Sequence, residues 1–406
     1  RGHCLLSNIL PFIELKVISI QILLTHIFSV PMTSYAPGRT APPALKPFFL
    51  SSRKQSAAPV VAMARCRCFK AVGSLAASLA ISLFFLLNAA SKSNDPAADG
   101  TPRWVVLPGN VTVHRGIARN PHHFTYIINN DVVCSRGPVR LLVLIASNAR
   151  DGEQRRRAIR ETWGQRALQK ALHFRLVFLL ADPHNATTSK EILRESYTYG
   201  DIVQEAFDES FQNLALKSVM GIKWAVSFCS NADYIVKTDD DIFLHIPNLI
   251  NALDKSDMDY SILCHPNPVR RILRDAHNIP KRYEKYLVTR KELPGELFPQ
   301  YCGGFAYSFT SASARKLYEA TTVTPVFFIE DVYVTGFCRL KAGLRILAHE
   351  SIALKPKVSV QQASCVFGDE RRITSHEVDA GEMRDLWNET NTQGFFCPKP
   401  LEHIRS

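Results

Sequence analysis

Short apolar runs alternating with helical segments dominate the hydrophobic pattern in the C-terminal part of the chain. Residues 140–146 (RLLVLIA) and 174–180 (FRLVFLL) are continuous hydrophobic runs of strand length, which is typical of strands covered on both faces. A capping pattern predicts a helix over about 151–170, and apolar positions at helical spacing predict another over 211–229. A third strand begins at 234–236. This order predicts an α/β fold with a mainly parallel central sheet flanked by helices, which binds ligands beyond the carboxyl ends of its strands.

The longest apolar stretch without a charge covers residues 71–90, about the 20 residues that a helix needs to cross a bilayer. Arg65, Arg67 and Lys70 precede it directly, and basic flanks stay in the cytosol. We therefore predict a single-pass type II signal-anchor with the bulk of the chain on the lumenal side. The alternative is a cleaved signal peptide, because the stretch is rich in small residues.

The remaining segments are predicted from composition. Residues 1–62 are an uncertain N-terminal extension, either the product of an upstream start in a gene model or a second membrane segment. Residues 63–70 form a short cytosolic tail. Residues 91–136 are rich in Pro, Asn, Asp and Gly and predict a stem, with a short ordered piece at 124–128. Residues 137–406 are predicted to be the folded lumenal domain.

Composition excludes several classes of protein. Of 406 residues, 46% are hydrophobic and 21% charged, which is enough apolar material for a packed core and excludes a disordered or collagen-like chain. The net charge of +12 suggests nucleic-acid binding, but residues 1–100 carry ten Lys/Arg against three Asp/Glu. Much of the excess therefore flanks the apolar stretch, as in membrane orientation, and we expect no nucleic-acid partner.

Two features agree with a lumenal location. Asn-X-Thr sequons begin at Asn110, Asn185 and Asn388, all beyond the predicted anchor. Seven cysteines lie on the same side. Because seven is odd, at least one is free or pairs between chains, and the sequence leaves the pairing open.

The strongest local signal is a run of three acids, Asp239, Asp240 and Asp241, set between apolar strand residues. Side chains alternate along a strand, so Asp239 and Asp241 are expected on one face and Asp240 on the other. Burying several like charges requires compensation, and hard oxygen ligands favour Mn²⁺, Mg²⁺ or Ca²⁺. The run therefore predicts a cation that clamps a diphosphate. The alternative is an exposed acidic turn.

A basic cluster opens the helix that follows the first strand. Helix N-termini and arginine side chains both attract phosphate, so we expect Arg156, Arg157 and Arg160 to reach the ligand site. The alternative is a solvated basic face, which we prefer for Arg155.

A second acidic pair, Glu330 and Asp331, interrupts the apolar stretch 327–336. A carboxylate that faces a bound sugar can remove the proton from an attacking hydroxyl. The alternative role is to cap a helix.

Two weaker signals accompany the acidic motifs. Gly303 and Gly304 allow the backbone to approach a ligand closely, although paired glycines also form tight turns. His376 is a candidate to complete a metal site, although spacing alone does not select it over His349.

In this order the motifs resemble those of the β-1,3-galactosyltransferase family of Golgi glycosyltransferases, which also contains β-1,3-N-acetylglucosaminyltransferases and, more distantly, the fringe enzymes. The matching stretches are RRRAIRETWG, FQNLALK, YIVKTDDDIFL, YCGGFAYSFT and IEDVYVTG, with SHEVDAGEMRDLW as a looser tail. The resemblance implies a GT-A-type nucleotide-sugar-binding domain in the Golgi membrane. It also implies Mn²⁺, a UDP-sugar donor and a glycan acceptor on a glycoprotein or glycolipid.

The resemblance further assigns residues to the donor and the metal. The implied metal ligands are Asp239, Asp241 and His376, with Asp241 binding the ion directly. The positions that match residues near the donor are Arg157, Arg160, Asn213, Lys217, Asp239 and Asp240.

The family inverts at the anomeric carbon, and Asp331 matches its catalytic base, with Glu330 as the second choice. This chain departs from the family where many relatives have a further glycine at Phe305 or Ala306. It also has Ala215 in place of a common hydroxyl residue, and Glu330 where many relatives carry Asp. These departures leave the reaction class intact and bear on the identity of the sugar.

The leading hypothesis is therefore β-1,3 transfer of galactose from UDP-galactose. The alternatives are the same reaction with UDP-N-acetylglucosamine, or a silent lectin or chaperone that kept the fold.

Overall fold

The computed structural model describes residues 104–391 except 116, 118, 121, 278 and 354. The strands are β1 Trp104–Val106, β2 Thr112–His114, β3 Tyr126–Asn129, β4 Val139–Ala146, β5 Phe174–Asp182, β6 Ile202–Asp208, β7 Ala232–Asp239, β8 Phe243–Leu244, β9 Ser261–Asn267, β10 Tyr301–Thr310, β11 Arg345–Ala348 and β12 Thr374–Ser375. The α-helices are α1 Glu153–Glu161, α2 Arg166–Ala171, α3 Ala186–Tyr199, α4 Leu214–Phe228, α5 Ile246–Asp254, α6 Ser311–Val323, α7 Arg339–Ala342, α8 Ala363–Gly368 and α9 Ala380–Thr390. Short 3₁₀ helices cover Lys281–Tyr286 and Val360–Gln362, and a π-helix covers Val332–Cys338.

An eight-stranded sheet in the order β11-β9-β10-β7-β4-β5-β6-β3 forms the centre of the fold. Strands β4 to β7 pair in parallel, whereas β3 and β10 pair antiparallel with their neighbours. The predicted α/β class is confirmed, and this eight-stranded sheet is mixed, with four parallel and three antiparallel strand pairs.

Strand β4 shows why this sequence forms a sheet covered on both faces. Leu142 and Leu144 pack into one hydrophobic cluster, and Leu141, Val143 and Ile145 pack into a second cluster on the opposite face. All five side chains are fully buried. The continuous apolar run is therefore an alternation between two hydrophobic cores, one on each face of the sheet.

The helix predicted over 151–170 is divided in the structure. Helix α1 starts at Glu153 after Gly152, without a side-chain cap, and ends at Glu161, while α2 begins at Arg166. Between them Trp163 is buried, and a Cβ on Gly164 would lie 2.8 Å from the carbonyl oxygen of Ile159. The break lets the indole enter the core, a tertiary effect that the capping pattern did not reveal.

The predicted boundary between stem and domain at residue 137 is too late. Strand β3 joins the edge of the main sheet antiparallel to β6. Cys134 is bonded to Cys229, and the ring of Trp104 lies 4.7 Å from that of Phe337. The described residues between 104 and 136 thus contribute to the folded unit. Their short, half-buried strands give little periodicity, which explains why composition suggested a stem.

Two disulfides join described residues, Cys134–Cys229 and Cys264–Cys302. Cys365 is also disulfide-bonded, and Cys338 is a buried free thiol. The long separation in the first pair, 95 residues, means that its removal frees a large loop in the unfolded chain.

Replacing both Cys134 and Cys229 by alanine should lower the free energy of unfolding by about 2–5 kcal/mol, because the unfolded chain gains conformational entropy. Chemical denaturation of parent and variant measures this directly. The matched double replacement of Cys264 and Cys302, 38 residues apart, should cost about 0.8 kcal/mol less because its loop is shorter. An unchanged midpoint for the first variant would contradict the expectation.

No helix in the described part of the chain is long and apolar enough to cross a membrane. The stretch 71–90, predicted to be the anchor, lies outside the described residues, as do the predicted segments 1–62 and 63–70.

Candidate active site

The carboxyl ends of β4 and β7 meet at one edge of the sheet, where Ala146 pairs with Asp239. A cleft of about 350 Å³ opens there. We call it the acidic cleft, and its lining includes Ser147, Arg155, Glu209, Phe211, Lys217, Asp239, Asp240, Asp241 and Lys285. The sequence prediction that ligands bind beyond these strands thus corresponds to a cavity lined by the acidic run.

The three aspartates have different partners. Asp239 accepts a hydrogen bond from Lys237 Nζ at 2.7 Å. Asp240 is buried, and its carboxylate accepts from Ser147 Oγ at 2.6 Å and from Arg155 Nη1 at 3.3 Å. Asp241 is half-buried in the cleft, with its side chain 29% exposed, about as much as the 30% of Asp239.

Burial raises the pKa of Asp241, and the nearby negative charge of Asp239 raises it further. Burial also raises the pKa of Asp240, although the hydrogen bond from Ser147 opposes this. Both carboxylates are thus placed where their charged forms are poorly stabilised by protein alone, which is the electrostatic condition for a bound cation.

His376 reaches the acidic run through a small ladder. Strand β12 pairs antiparallel with β8, with Ser375 opposite Phe243, and this places His376 beside the end of the aspartate run. Its Nε2 lies 4.0 Å from Asp241 Oδ2. The structure thus brings together the two residues that sequence separates by more than a hundred positions.

Among the residues that the structure describes, no group of three or more His, Cys, Asp or Glu side chains is arranged to hold a metal ion. The donor atoms nearest to such a site are the carboxylate of Asp241 and the imidazole of His376. Oxygen and imidazole ligands suit Mn²⁺, and a nucleotide-bound ion takes much of its coordination from phosphate and water. The residues present therefore fit an ion that arrives with a diphosphate.

Lys217 lies in a buried ion pair at the floor of the cleft. Its Nζ donates to Glu209 Oε1 at 2.6 Å and to the carbonyl of Ser147 at 2.7 Å. The other oxygen of Glu209 accepts the backbone N–H groups of Ala149 and Ala181. Burial lowers the pKa of Lys217 despite its partner. The pair ties the ends of β4, β5 and β6 together.

The basic cluster of α1 is distributed differently from the prediction. Arg156 is fully buried and forms ion pairs with Glu195. Arg160 pairs with Asp201 and with the same Glu195, and its guanidinium lies over the Phe178 and Tyr199 rings. Arg157 is exposed beside Glu153. These three side chains do not line the acidic cleft.

Arg155 is the arginine of this cluster that lines the cleft, with its Nη1 3.3 Å from Asp240. Arg155, expected on a solvated basic face, is 44% exposed and also faces the cleft. All four arginines lie on α1, three in its first half and Arg160 in its last turn, and their tertiary partners give them different roles.

Asn213 also lies beside the cleft rather than in its lining. It precedes α4, and its Nδ2 donates to the carbonyl of Asp208 at 2.9 Å. This bond closes the turn between β6 and α4.

The second acidic pair lies at the start of the π-helix, with its two members in different environments. Glu330 is buried, and it accepts from Tyr307 Oη at 2.6 Å and contacts Lys237 Nζ at 3.4 Å. Asp331 accepts the backbone N–H of Val332 at 2.9 Å and is half-buried. Burial raises the pKa of Asp331 to about 7, and the charge of Glu330 adds to the effect. Asp331 therefore titrates near neutrality, as a general base should.

Gly304 lies against this pair. A Cβ at Gly304 would lie 3.3 Å from Asp331 Cβ and 3.3 Å from Glu330 Oε2, and its carbonyl accepts from Lys237. At Gly303 a Cβ would lie 2.5 Å from Cε1 of Phe305. The absent side chains thus make room for close packing around the acids.

Sequence analysis missed Lys237, Glu209, Ser147 and Tyr307. A signal existed for Lys237, because a lysine inside an apolar strand is seldom buried without a partner. For the others only the fold reveals the contacts. The three sequon asparagines are all exposed, and Asn185 also caps α3.

A family model and two curated relatives that match this chain are all galactosyltransferases. A family model described as Galactosyltransferase matches residues 154–350. The chain is 31% identical to beta-1,3-galactosyltransferase 1 of Mus musculus over 278 residues, which are 68% of this chain and 81% of that protein. It is 31% identical to beta-1,3-galactosyltransferase 2 of Homo sapiens over 271 residues, 66% of this chain and 63% of that protein.

Similarity to solved structures is low. The apo structure of the bifunctional glycosyltransferase WbbM matches at 11% identity and a TM-score of 0.32, covering 69% of this chain and 52% of that one. This likeness is too weak to support an argument. The family model and the 31% identity over most of the mouse relative are independent of this structural likeness. They show that the chain belongs to the galactosyltransferase family and is a glycosyltransferase.

Proposed function

We propose that this protein transfers galactose from UDP-galactose to a sugar hydroxyl in β-1,3 linkage, with inversion, on a GT-A-type fold. The names of its relatives support this choice of sugar and linkage. The observation that carries the proposal is the position of Lys237, whose Nζ lies 2.7 Å from Asp239 and 3.4 Å from Glu330. Lys237 thus connects the acidic run, which is suited to binding the donor and its cation, with the pair Glu330 and Asp331, which is suited to activating the acceptor hydroxyl.

Asp331 is the base in this proposal. Its carboxylate takes the proton of the acceptor hydroxyl as that oxygen bonds to C1 of the sugar. The C1–O bond to the diphosphate breaks, and UDP leaves with the electron pair. Glu330 is held by Lys237 and Tyr307, which leaves Asp331 as the member of the pair that can accept a proton. One base and one displacement invert the configuration, whereas retention would require a nucleophilic carboxylate.

The donor occupies the acidic cleft. Asp241, His376 and Asp239 would hold Mn²⁺, which supplies charge neutralisation for the leaving diphosphate when bound. The cationic side chains that line the cleft are Arg155, Lys217 and Lys285. Lys217 is buried and paired with Glu209 at 2.6 Å, whereas Arg155 is 44% exposed and only 3.3 Å from Asp240, so Arg155 and Lys285 are the better placed cations for the phosphates. Arg156 positions Asp240 indirectly. Its Nη1 donates to Ser147 Oγ, and this hydroxyl donates to the Asp240 carboxylate.

The location that we propose is the Golgi membrane, with residues 71–90 as a type II anchor and the catalytic domain in the lumen. Disulfides persist in oxidising compartments, and the sequons are exposed, so both features support a lumenal domain.

The test is a panel of UDP-sugars offered to the purified full chain in detergent with Mn²⁺ and glycoside acceptors. We expect transfer from UDP-galactose and a β-1,3 linkage in the product. Transfer from UDP-N-acetylglucosamine alone would overturn the choice of sugar, and binding without turnover would favour the lectin alternative.

A separate prediction concerns the metal. Replacing Asp241 by Asn should raise the Kd for Mn²⁺, measured by titration calorimetry in the presence of UDP, by at least about tenfold, because the directly facing carboxylate is lost. The matched control is Asp233→Asn at the other end of β7, which is exposed and should leave the Kd unchanged. Equal affinity in the two variants would remove Asp241 from the metal site.

A further inference from the structure

A second cavity of about 390 Å³ lies outside the acidic cleft. We call it the outer cavity, and its lining is Trp104, Gln212, Lys291, Glu292, Pro325, Val326, Phe327 and Phe328. Its volume falls within the range of roughly 300–1,000 Å³ that is typical of small-molecule sites. The proposed reaction uses the acidic cleft and Asp331 and assigns no role to the outer cavity.

The two cavities share a wall. Phe211 lines the acidic cleft, while the next residue, Gln212, lines the outer cavity. The ring of Phe211 lies 6.5 Å from that of Phe328, which also lines the outer cavity. Phe328 precedes Asp331 by three residues, a chain distance of at most about 10 Å. The outer cavity therefore lies within reach of a molecule whose hydroxyl is held at Asp331.

Tyr286 places the same wall close to the reacting groups. Its ring contacts that of Phe211 at 5.3 Å. The preceding residue, Lys285, lines the acidic cleft together with Asp239. Burial raises the pKa of Tyr286, and the negative charges of Asp331 and Asp239 raise it further. The wall thus borders the base on one side and the outer cavity on the other.

The lining has the two kinds of surface that a sugar ring presents. Trp104, Phe327 and Phe328 offer aromatic and apolar area for the C–H face of a pyranose. At the rim the side chains of Gln212 and Lys291 are exposed, and neither hydrogen-bonds to another residue that the structure describes. They are therefore available for the hydroxyl edge of the ring.

We propose that the outer cavity binds the second sugar ring of an oligosaccharide acceptor, with Gln212 and Lys291 hydrogen-bonding to its hydroxyls. The inference rests on the proposed function, because it takes the first ring to be the one that reacts at Asp331. Trp104 and Gln212 lie on segments far apart in sequence, and Trp104 precedes the stretch 154–350 that matches the family. Acceptor selection is thus partly encoded in residues that the family match does not cover.

The experiment compares acceptors of different length. Methyl glycosides of single sugars and disaccharides ending in the same sugar are offered to the parent full chain and to Gln212→Ala/Lys291→Ala. The double variant should lower the kcat/KM ratio of disaccharide to monosaccharide by about tenfold, through KM, because two hydrogen bonds to the second ring are lost. The matched control Lys190→Ala, exposed on α3, should leave the ratio unchanged. Thermal midpoints verify that both variants are folded.

Binding gives an independent readout. The disaccharide should change the tryptophan fluorescence of the parent protein through Trp104, and the double variant should need about tenfold more disaccharide for the same change. An unchanged acceptor ratio, or a KM effect confined to UDP-galactose, would overturn the assignment of the outer cavity. Failure of every variant and the parent to transfer sugar, with disaccharide binding retained, would refute the proposed function and keep the binding site. Absence of both refutes both.

Discussion

Replacing Asp331 by Asn should reduce kcat by about 10²–10⁴-fold, which is the usual contribution of a general base. The amide keeps the size of the carboxylate and can still accept the backbone N–H of Val332, so the π-helix should retain its start. It cannot take a proton from the acceptor hydroxyl. The measurement is single-turnover transfer of galactose at saturating donor and acceptor.

Two features separate a missing base from a damaged fold. The Asp331→Asn change should leave the Kd for UDP with Mn²⁺ unaltered, because donor binding occurs at the other acidic motif. The control Asp385→Asn, exposed on α9, should keep full activity. Activity equal to that of the parent would remove Asp331 from the mechanism.

The same residue sets the expected pH dependence. A base acts in its deprotonated form, and burial beside Glu330 raises the pKa of Asp331 to about 7. Transfer should therefore fall about tenfold per pH unit below that value and level off above it. In the Asp331→Asn variant this inflection should disappear, and a profile with the same inflection would assign it to another group.

Much of the fold could be predicted because β4 and β5 encode their environment locally. An apolar run of strand length, followed by a helical segment, leaves few arrangements other than a parallel strand covered on both faces. The stem boundary failed for the opposite reason. β3 is a short edge strand that lies antiparallel to β6, and its half-buried side chains give no readable alternation.

The parts of the candidate site that could be predicted are those where charged residues interrupt an apolar segment. The parts that could not be predicted are those where a side chain pairs with a residue distant in the sequence. Three successive acids between apolar residues are unusual and could be recognised from the sequence, although only Asp239 belongs to β7 and Asp240 and Asp241 lie in the turn after it. The roles of the arginines of α1 could not, because Arg155 and Arg156 differ by one position, yet one contacts Asp240 and the other is buried against Glu195. Helix α3, which supplies Glu195, carries no mark in the sequence that links it to α1.

Lys237 is another residue whose partners come from distant parts of the chain and could not be predicted from the sequence. It is fully buried, and its Nζ contacts Asp239, Glu330 and the carbonyl of Gly304. Burial alone would lower the pKa of Lys237, but the two carboxylates outweigh it and the net effect is a raised pKa. The ammonium is thus the compensating charge for both acidic motifs.

Replacing Lys237 by Met should lower the free energy of unfolding by about 3–5 kcal/mol, because buried carboxylates lose their partner. Denaturation in urea measures the change. Transfer activity should fall with it, since Asp239 and Glu330 lose the group that fixes them. The control Lys255→Met removes an exposed lysine paired with Glu370 and should change stability by less than about 0.5 kcal/mol.

A double-mutant cycle distinguishes loss of charge compensation from loss of packing. In Lys237→Met the carboxylate of Glu330 is buried without its cation, so adding Glu330→Gln removes the uncompensated charge while Tyr307 Oη can still donate to the amide oxygen. The second change should therefore restore about 1–3 kcal/mol to the first variant, although it destabilises the parent protein. If the effects of the two changes on the free energy of unfolding were additive, the loss in Lys237→Met would come from poorer packing of the methionine. Charge compensation by the ammonium would then be refuted. Asp239 is about a third exposed and can be solvated by water, so Glu330 is the partner on which the coupling should fall.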